Sequence, residues 1–212
     1  MSIRVFIADD QEMVRVGFGL ILAAEKDIEV VGEAADGAAA IEGIGRLRPD
    51  VALLDIRMPL LDGLEVTARV AGSTAVVVVT TFGDDTYVDT ALAAGAVGFI
   101  VKDSGPQLLV SAVRAAARGD ALISPELTLP LLRRRAAASA PVVGPDLLAR
   151  LSDRELDVAR LVAQGRTNAE IAGELYVALS TVKTPLARIQ QRLEVRNRVE
   201  IAAVMWRRGA VE

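Results

Sequence analysis

Five short apolar runs in the first 120 residues constrain the fold more than any other feature of the sequence. They are IRVFIADD, IEVVGEA, VALLDIR, AVVVVTTF and VGFIVKD, and each ends in polar or acidic residues. Short runs rich in β-branched residues are typical of strands buried on both faces of a sheet. Helical patterns follow them near residues 11–24, 37–47, 63–71, 84–94 and 105–118. The alternation predicts an α/β doubly wound parallel sheet of five strands with helices on both faces.

The last third of the chain has a helical pattern throughout. Two predicted helices begin with capping boxes, in which Ser152 or Thr167 is followed three residues later by a glutamate. The segments STVKTPLARIQQRLEV and NRVEIAAVMWRRG predict a third and a fourth helix. Two short helices across a tight turn predict a helix-turn-helix within a small, all-α, four-helix domain.

Residues 119–150 fit neither pattern, since they carry four prolines and a stretch rich in alanine and serine. Such a composition is typical of a linker. A helix at the start of this linker is the one element of secondary structure that we consider. We therefore expect domains over residues 1–120 and 147–212, joined by a linker over residues 121–146. The arginine triplet at 133–135 is interpreted as a solvated face rather than a DNA contact.

Charge and composition narrow the chemistry. The net charge is −8 over residues 1–120, +2 over residues 121–150 and +2 over residues 151–212, which suggests a division of labour between the two ends. The chain has no cysteine and no histidine, so chemistry has to use carboxylates, hydroxyls and lysine. No run of 18 uncharged apolar residues and no secretory leader pattern is found, so we expect a cytoplasmic protein that is not embedded in a membrane.

Ligands of a doubly wound sheet bind beyond the carboxyl ends of the strands, where the strand order switches. The residues at those predicted ends are Asp9, Asp10, Asp55, Thr80 and Lys102. Three convergent carboxylates repel one another, and a hard divalent cation such as Mg²⁺ relieves that repulsion. In such a site Asp55 is the nucleophile that accepts a phosphoryl group, Thr80 donates a hydrogen bond, and Lys102 neutralises oxygens.

Each of these residues also has an ordinary structural interpretation. Asp10 could cap the first helix, and Asp55 could be a loop carboxylate. Thr80 could serve as a β-branched strand residue, and Lys102 could be a solvated strand end. All five at the correct strand ends of one fold form a much more specific pattern than any of them alone.

The N-terminal segment resembles a response-regulator receiver domain over its whole length, through IADD, LLDIRMPLLDGLEV, VVVVTTF and GAVGFIVKD. The resemblance implies that Asp55 is the phosphoacceptor. It implies that Asp10, Asp55 and the backbone carbonyl of Arg57 bind Mg²⁺, while Asp9 acts through water. One departure from the broad receiver pattern is Asp103, which follows the strand-end lysine where proline is widespread.

The same resemblance implies that Thr80 and Phe99 move when the domain is phosphorylated. The chain has no P-loop pattern, so ATP is not expected to be the direct donor. Because the chain lacks histidine, a phosphohistidine donor has to be another protein. The resemblance identifies that partner as a sensor histidine kinase.

The C-terminal segment, from LSDRELDVARLVAQGRTNAEIAGELYVALSTVKT to NRVEIAAV, is similar to the LuxR-type helix-turn-helix. The whole chain thus resembles a response regulator of the NarL/FixJ type, in which the third helix enters the major groove and the fourth supports dimerisation. The predicted DNA contacts are Thr167, Asn168, Thr181, Lys183, Thr184, Ala187 and Arg188. The alternative for the basic residues is a solvated helix surface. Packing positions with helical spacing are Val182, Leu186, Ile189 and Leu193.

Pro185 stands where family members usually have histidine, directly after VKT. With Ser180 as N-cap, its missing N–H would have paired with the Thr181 carbonyl, at a cost of about 3 kcal/mol. Thr184 could instead be a second N-cap, with Pro185 at the favoured first position of a later helix. In both cases we expect the helix to bend or restart, which would change DNA affinity or sequence preference while the fold persists.

These observations predict a phosphorylation-switched, DNA-binding transcription regulator that acts as a dimer. The alternative, supported mainly by Pro185, is a phospho-switched protein-interaction regulator whose helix-turn-helix no longer binds DNA. A phosphatase would need a second carboxylate near the nucleophile, and IRMP after Asp55 offers none. The protein is therefore not expected to be an enzyme beyond slow hydrolysis of its own aspartyl phosphate.

Overall fold

The computed structural model describes residues 2–81, 85–123, 147–208 and 210. The chain divides into two compact units, Met1–Leu131 and Leu132–Glu212, named the N-terminal and C-terminal units below. Most of the predicted linker, including the arginine triplet at 133–135, lies outside the described residues. Every helix in the described part of the chain is too short or too polar to serve as a membrane span.

The N-terminal unit alternates strands and helices as predicted. Its strands are β1 (Ile3–Ala8), β2 (Ile28–Ala34), β3 (Val51–Asp55), β4 (Ala75–Thr80), β5 (Gly98–Val101) and β6 (Leu122–Ile123). Its helices are α1 (Glu12–Ala23), α2 (Gly37–Leu47), α3 (Gly63–Val70), α4 (Asp85–Ala94) and α5 (Pro106–Arg118). All strand pairs are parallel, and the order across the sheet is β2-β1-β3-β4-β5-β6. The chain steps outward from β1 to β2 and returns to β3, so the order switches between β1 and β3.

The five predicted strands are confirmed, and among the described residues a sixth strand of two residues extends the sheet beyond β5. Residues 122–123 pair with β5 in parallel, at the start of the segment expected to be a linker that began, if anything, with a helix. Gly119 ends α5 in the left-handed conformation, which turns the chain back toward the sheet edge. Leu122 then packs on the core. A two-residue strand is too short to show an apolar period in a sequence, and tertiary packing alone produces it.

Side chains of the central strands alternate between two buried layers. Val5 and Ile7 belong to the core cluster that includes residues of α1 and α5. Phe6 points to the opposite face, where a Cβ atom added to Gly43 of α2 would lie 2.6 Å from its ring. Helix α2 packs this closely on β1 because Gly43 has no side chain. Both faces are therefore covered, which explains the continuous apolar runs of the strands.

The C-terminal unit is helical. After a 3₁₀ turn (Leu147–Arg150) come α6 (Asp153–Ala163), α7 (Asn168–Glu174), α8 (Leu179–Leu193) and α9 (Arg198–Arg207). Both predicted capping boxes are confirmed at the starts of α6 and α7. The predicted packing positions of α8 are buried in one cluster with α6, α7 and α9: Val182, Leu186, Ile189 and Leu193.

Candidate functional site

The predicted strand-end residues converge at one edge of the sheet. Asp9 follows β1 directly, Asp55 ends β3, Thr80 ends β4, and Lys102 follows β5. Asp9, Asp55 and Thr80 are 1%, 5% and 5% exposed, whereas the neighbouring Asp10 is exposed. Asp9 and Asp55 flank the β1–β3 switch point, since these two strands are hydrogen-bonded neighbours.

Lys102 connects the two buried carboxylates. Its Nζ lies 2.6 Å from Asp9 Oδ2 and 3.4 Å from Asp55 Oδ1, and all three side chains are at most 7% exposed. The closer approach is an ion pair without hydrogen-bond alignment, and both of its atoms otherwise have no hydrogen-bond partner among the described residues. One buried ammonium is therefore shared by two buried carboxylates, which leaves an excess of negative charge.

Contacts with the main chain and close packing position the segments that carry Asp9 and Asp55. Asp9 Oδ1 accepts a hydrogen bond of 3.0 Å from the N–H of Gln11, and Arg15 Nη1 donates to the Asp9 carbonyl at 2.8 Å. On the β3 side, a Cβ atom on Gly63 would lie 1.9 Å from the Asp55 carbonyl oxygen, so only glycine allows α3 to start there. The sequence analysis missed both supports. The Asp62–Gly63 dipeptide at the start of α3 indicates the second, but no pattern in the sequence indicates the first.

Burial raises the pKa of Asp55 from 3.8 to about 6. Desolvation of the carboxylate is the largest cause, the charge of Lys102 opposes it, and the charge of Asp9 adds to it. Asp55 is therefore ionised at neutral pH although its surroundings disfavour the charge. An ionised and poorly solvated carboxylate is suited to act as a nucleophile.

The three aspartates can hold a cation together. One oxygen from each of Asp9, Asp10 and Asp55 lies within 4.8 Å of the other two. A hard divalent ion accepts oxygen ligands of this kind and tolerates water in its remaining positions. The buried Asp9 Oδ2 makes the ion pair with Lys102 but no hydrogen bond in the described part of the chain, so it can also accept a hydrogen bond from a metal-bound water. The donor set therefore fits a divalent cation.

Phe99 lies on β5 and is fully buried, paired in register with Val78 of β4. Arg57 is exposed two residues beyond the end of β3. The geometry shows where both residues lie, and the predicted movement of Phe99 and the predicted metal contact of the Arg57 carbonyl stay predictions.

Helix α8 of the C-terminal unit has a polar, exposed surface. Five of the predicted DNA contacts are exposed on α8: Thr181, Lys183, Thr184, Ala187 and Arg188. Thr167 is also exposed, but its hydroxyl is engaged in the capping box, where it donates to Glu170 Oε2 at 2.9 Å. The surface that the sequence analysis selected on α8 thus faces away from the buried core of its unit.

The prediction for Asn168 needs correction. Its side chain is fully buried, and its Oδ1 accepts a hydrogen bond of 3.1 Å from Arg198 Nη1. Arg198, itself only 9% exposed, also donates to the carbonyl of Arg166. Asn168 therefore joins α7 to the start of α9 and does not present its amide to DNA. Its place directly after an N-cap does not reveal this long-range contact.

The predicted restart of the helix at Pro185 is not found, while the predicted bend stays a prediction. Helix α8 is continuous from Leu179 to Leu193, with Pro185 inside it. Its N-cap is Ala178, two residues before Ser180 and six residues before Thr184. The apolar face of α8 packs along its whole length, and that packing outweighs one missing backbone hydrogen bond. Since Ala178 has no capping side chain, this helix lacks two local stabilising features at once.

Comparison with known proteins decides the family. A model of the response regulator receiver domain matches residues 5–114, and a model of the luxR family of bacterial regulatory proteins matches residues 149–205. The chain is 37% identical to the uncharacterized transcriptional regulatory protein YxjL of Bacillus subtilis (strain 168), over 100% of this chain and 98% of that protein. The chain belongs to the response regulators.

This response regulator joins a receiver domain to a LuxR-type DNA-binding domain, as in the transcriptional regulators of two-component systems. It is 35% identical to the transcriptional regulatory protein LiaR of Bacillus subtilis (strain 168), over 99% of each chain. Among solved structures it is similar to the response regulator ChrA of a heme-sensing two-component system. That match has 34% identity over 98% of each chain and a TM-score of 0.54.

Proposed function

We propose that this response regulator accepts a phosphoryl group on Asp55 from a sensor histidine kinase and then binds duplex DNA as a homodimer. We assign the receiver to residues 1–120, the linker to 121–146 and the DNA-binding domain to 147–212. The observation that supports phosphorylation most directly is the buried cluster in which Lys102 Nζ lies within 3.4 Å of carboxylate oxygens of both Asp9 and Asp55.

In the transfer step, a carboxylate oxygen of Asp55 forms a bond to phosphorus while the P–N bond of the kinase's phosphohistidine breaks. The imidazole keeps the electron pair of that bond and takes a proton from solvent. The ammonium of Lys102 pairs with the phosphoryl oxygens, and the Thr80 hydroxyl donates a hydrogen bond to them. The donor is another protein, because this chain has no histidine of its own.

Mg²⁺ is the cation that we assign to the acidic cluster. Asp9, Asp10, Asp55 and the backbone carbonyl of Arg57 would hold it, the first of them through water. When bound, the ion supplies positive charge that neutralises the oxygens of the phosphoryl group. Its own affinity depends on ionised carboxylates, which couples metal binding to the protonation of Asp55.

Phosphorylation replaces the single negative charge of the Asp55 carboxylate by a phosphoryl group of about −1.5 to −2 charge at the carboxyl edge of the sheet. Thr80 and Phe99 lie buried on the adjacent strands β4 and β5, where Phe99 pairs in register with Val78, two residues before Thr80. We propose that this change alters the receiver surface and favours the homodimer by a shift of populations.

On the DNA side, the exposed surface of α8 supplies the contacts. Lys183 and Arg188 suit guanine or phosphate, and Thr184 and Ala187 suit a thymine methyl group. Thr181 and Thr167 complete the set, the latter next to the start of α7. The domain carries a small net positive charge, and a dimer on a two-fold site doubles it.

Phosphorylation is tested with acetyl phosphate and Mg²⁺ on the full chain, followed by intact-mass measurement. We expect one added phosphoryl group on the wild type and none on Asp55→Asn. Asp103→Asn is the matched control, because it removes an exposed carboxylate beside Lys102 and leaves the cluster complete. Phosphorylation of Asp55→Asn to the wild-type extent would show that another residue is the acceptor.

DNA binding is tested by selection from a random duplex library, with wild type and Pro185→His in parallel, with and without phosphorylation. We expect the wild type to enrich a two-fold site, to bind it in a salt-dependent manner, and to bind more tightly after phosphorylation. Enrichment by Pro185→His alone would instead support the protein-interaction function.

A further inference from the structure

Tyr176 lies in the turn between α7 and α8, at the left-handed position that ends α7 and that glycine or asparagine usually occupies. Its side chain is 95% exposed, the highest value among the large apolar residues described. Its backbone has a φ of 53°, in the left-handed region. This region is unfavourable for a bulky side chain, while asparagine and glycine enter it much more easily. An aromatic residue at this position is therefore unfavourable on both counts.

The turn itself is held by other groups. The N–H of Tyr176 donates to the carbonyl of Gly173 at 3.3 Å, and the N–H of Val177 donates to that of Ala172 at 2.9 Å. Arg154 Nη2 donates to the carbonyl of Leu175 at 3.1 Å. All three are contacts of the backbone, so asparagine at position 176 would keep them. The left-handed backbone therefore serves the end of α7, whereas the tyrosine side chain adds strain without contributing to the turn, which is typical of functional positions.

A second exposed apolar residue continues the same surface. Leu179 is the first residue of α8 and is 41% exposed. Lys183 and Ala187, both exposed, follow it at intervals of four residues, so the three lie on one face of the helix. Tyr176 precedes Leu179 by three residues. Both exposed apolar residues thus stand at, or just before, the amino end of the proposed DNA-binding helix.

We propose that Tyr176 and Leu179 contact duplex DNA and help to determine affinity and base preference. The Tyr176 ring packs on the sugar–phosphate backbone and its hydroxyl donates to a phosphate, a contact that tyrosine makes in protein–DNA interfaces. Leu179 provides apolar contact with a thymine methyl group. This inference rests on the proposed function, because it takes α8 as the DNA-binding helix.

The test compares wild type, Tyr176→Asn and Tyr176→Phe as full chains on the selected duplex. Trp206 is the only tryptophan of the chain and its Nε1 donates to the Ala163 carbonyl, so its fluorescence reports unfolding of the C-terminal unit. We expect Tyr176→Asn to unfold at higher urea concentration than wild type and to bind DNA at least tenfold more weakly. Tyr176→Phe should bind DNA about threefold more weakly than the wild type, because it keeps the ring and loses the hydroxyl.

Leu60→Asn is the matched control. Leu60 is also left-handed, with a φ of 68°, and 78% exposed, but it lies in the N-terminal unit. This variant should relieve the same backbone strain and leave the DNA affinity of the unphosphorylated chain unchanged. In a parallel selection, Leu179→Ser should lose the preference for thymine at one position of each half-site.

Three outcomes overturn the inference. An affinity of Tyr176→Asn within twofold of wild type would remove Tyr176 from the DNA interface. A shift of the monomer–dimer equilibrium in sedimentation, with unchanged affinity of the dimer for DNA, would assign the surface to contact with a second copy of the chain. Absence of salt-dependent DNA binding by the wild type itself would refute the proposed function, and this inference with it.

Discussion

Replacing Asp55 by asparagine should stabilise the receiver domain at neutral pH, and the gain should disappear in acid. The Asp55 side chain is 6% exposed, and desolvation is the largest cause that raises its pKa to about 6. Asparagine has nearly the same shape and carries no charge. The Lys102 ammonium keeps its ion pair with Asp9, at 2.6 Å, in the variant.

The magnitude follows from linkage between protonation and folding. A pKa of 3.8 in the unfolded chain and about 6 in the folded chain corresponds to about 3 kcal/mol. The folded state binds the proton more tightly, so the wild type loses stability as the pH rises from 3.8 to about 6. Above this range the loss is complete, and below it Asp55 is protonated in both states and costs nothing.

The assay is urea denaturation of the full chain at pH values from about 4 to 8 without Mg²⁺, followed by far-UV circular dichroism. Trp206 fluorescence identifies the transition of the DNA-binding domain, which leaves the other transition for the receiver. We expect the free energy of unfolding of the receiver to be about 3 kcal/mol higher in Asp55→Asn than in the wild type at pH 7. At pH 4 the difference should be small. The free energy of unfolding of the exposed control Asp103→Asn should change with pH in the same way as that of the wild type.

A difference between Asp55→Asn and wild type that stays constant from pH 4 to pH 8 would refute this reasoning. If the wild type instead gains stability relative to the variant as the pH rises, the sign of the effect is the opposite of the one expected here. In that case the attraction of Lys102 for Asp55 would exceed the desolvation of the carboxylate, and the pKa of Asp55 would have to lie below 3.8.

Three further predictions concern the cluster and α8. Mg²⁺ should bind about tenfold more weakly at pH 5 than at pH 7 in calorimetric titration, because Asp55 takes up a proton near pH 6; equal affinities would contradict a role for this carboxylate. Lys102→Met should destabilise the receiver by about 3–5 kcal/mol in urea, since it leaves two buried carboxylates without a cation. Adding Asp9→Asn should recover part of that loss, and no recovery would argue against charge as the cause. Ala178→Ser should stabilise the DNA-binding domain by about 1 kcal/mol, measured by Trp206 fluorescence, because it supplies the missing cap of α8; an unchanged midpoint would show that the cap is not limiting.

Much of the fold could be predicted because its determinants are local. The apolar runs before Asp9 and Asp55 end where the strands end, and parallel strands place all their carboxyl ends at one edge. Ser152 and Thr167 start helices because each needs only a glutamate three residues later. Exposed and buried positions of α8 followed from the helical period, which the packed domain keeps.

Other features depend on contacts between distant residues. Asn168 looked like a surface residue beside an N-cap, but it is buried against Arg198, 30 residues away. One of the two alternatives for Pro185 was the start of a later helix, yet α8 continues through this residue because its apolar face is packed. The hydrogen bond from Arg15 to the Asp9 carbonyl likewise depends on how α1 packs against β1.

The sequence by itself determined which carboxylates, hydroxyl and lysine can meet, since alternation of strands and helices leaves one arrangement for the strand ends. Only the tertiary structure decided how they interact. Burial of Asp55 makes its charge costly, and Lys102 lies nearer to Asp9 than to Asp55, at 2.6 Å against 3.4 Å. The physical reason is that desolvation and Coulomb energy depend on distances between residues far apart in the chain, while strand and cap propensities depend on near neighbours.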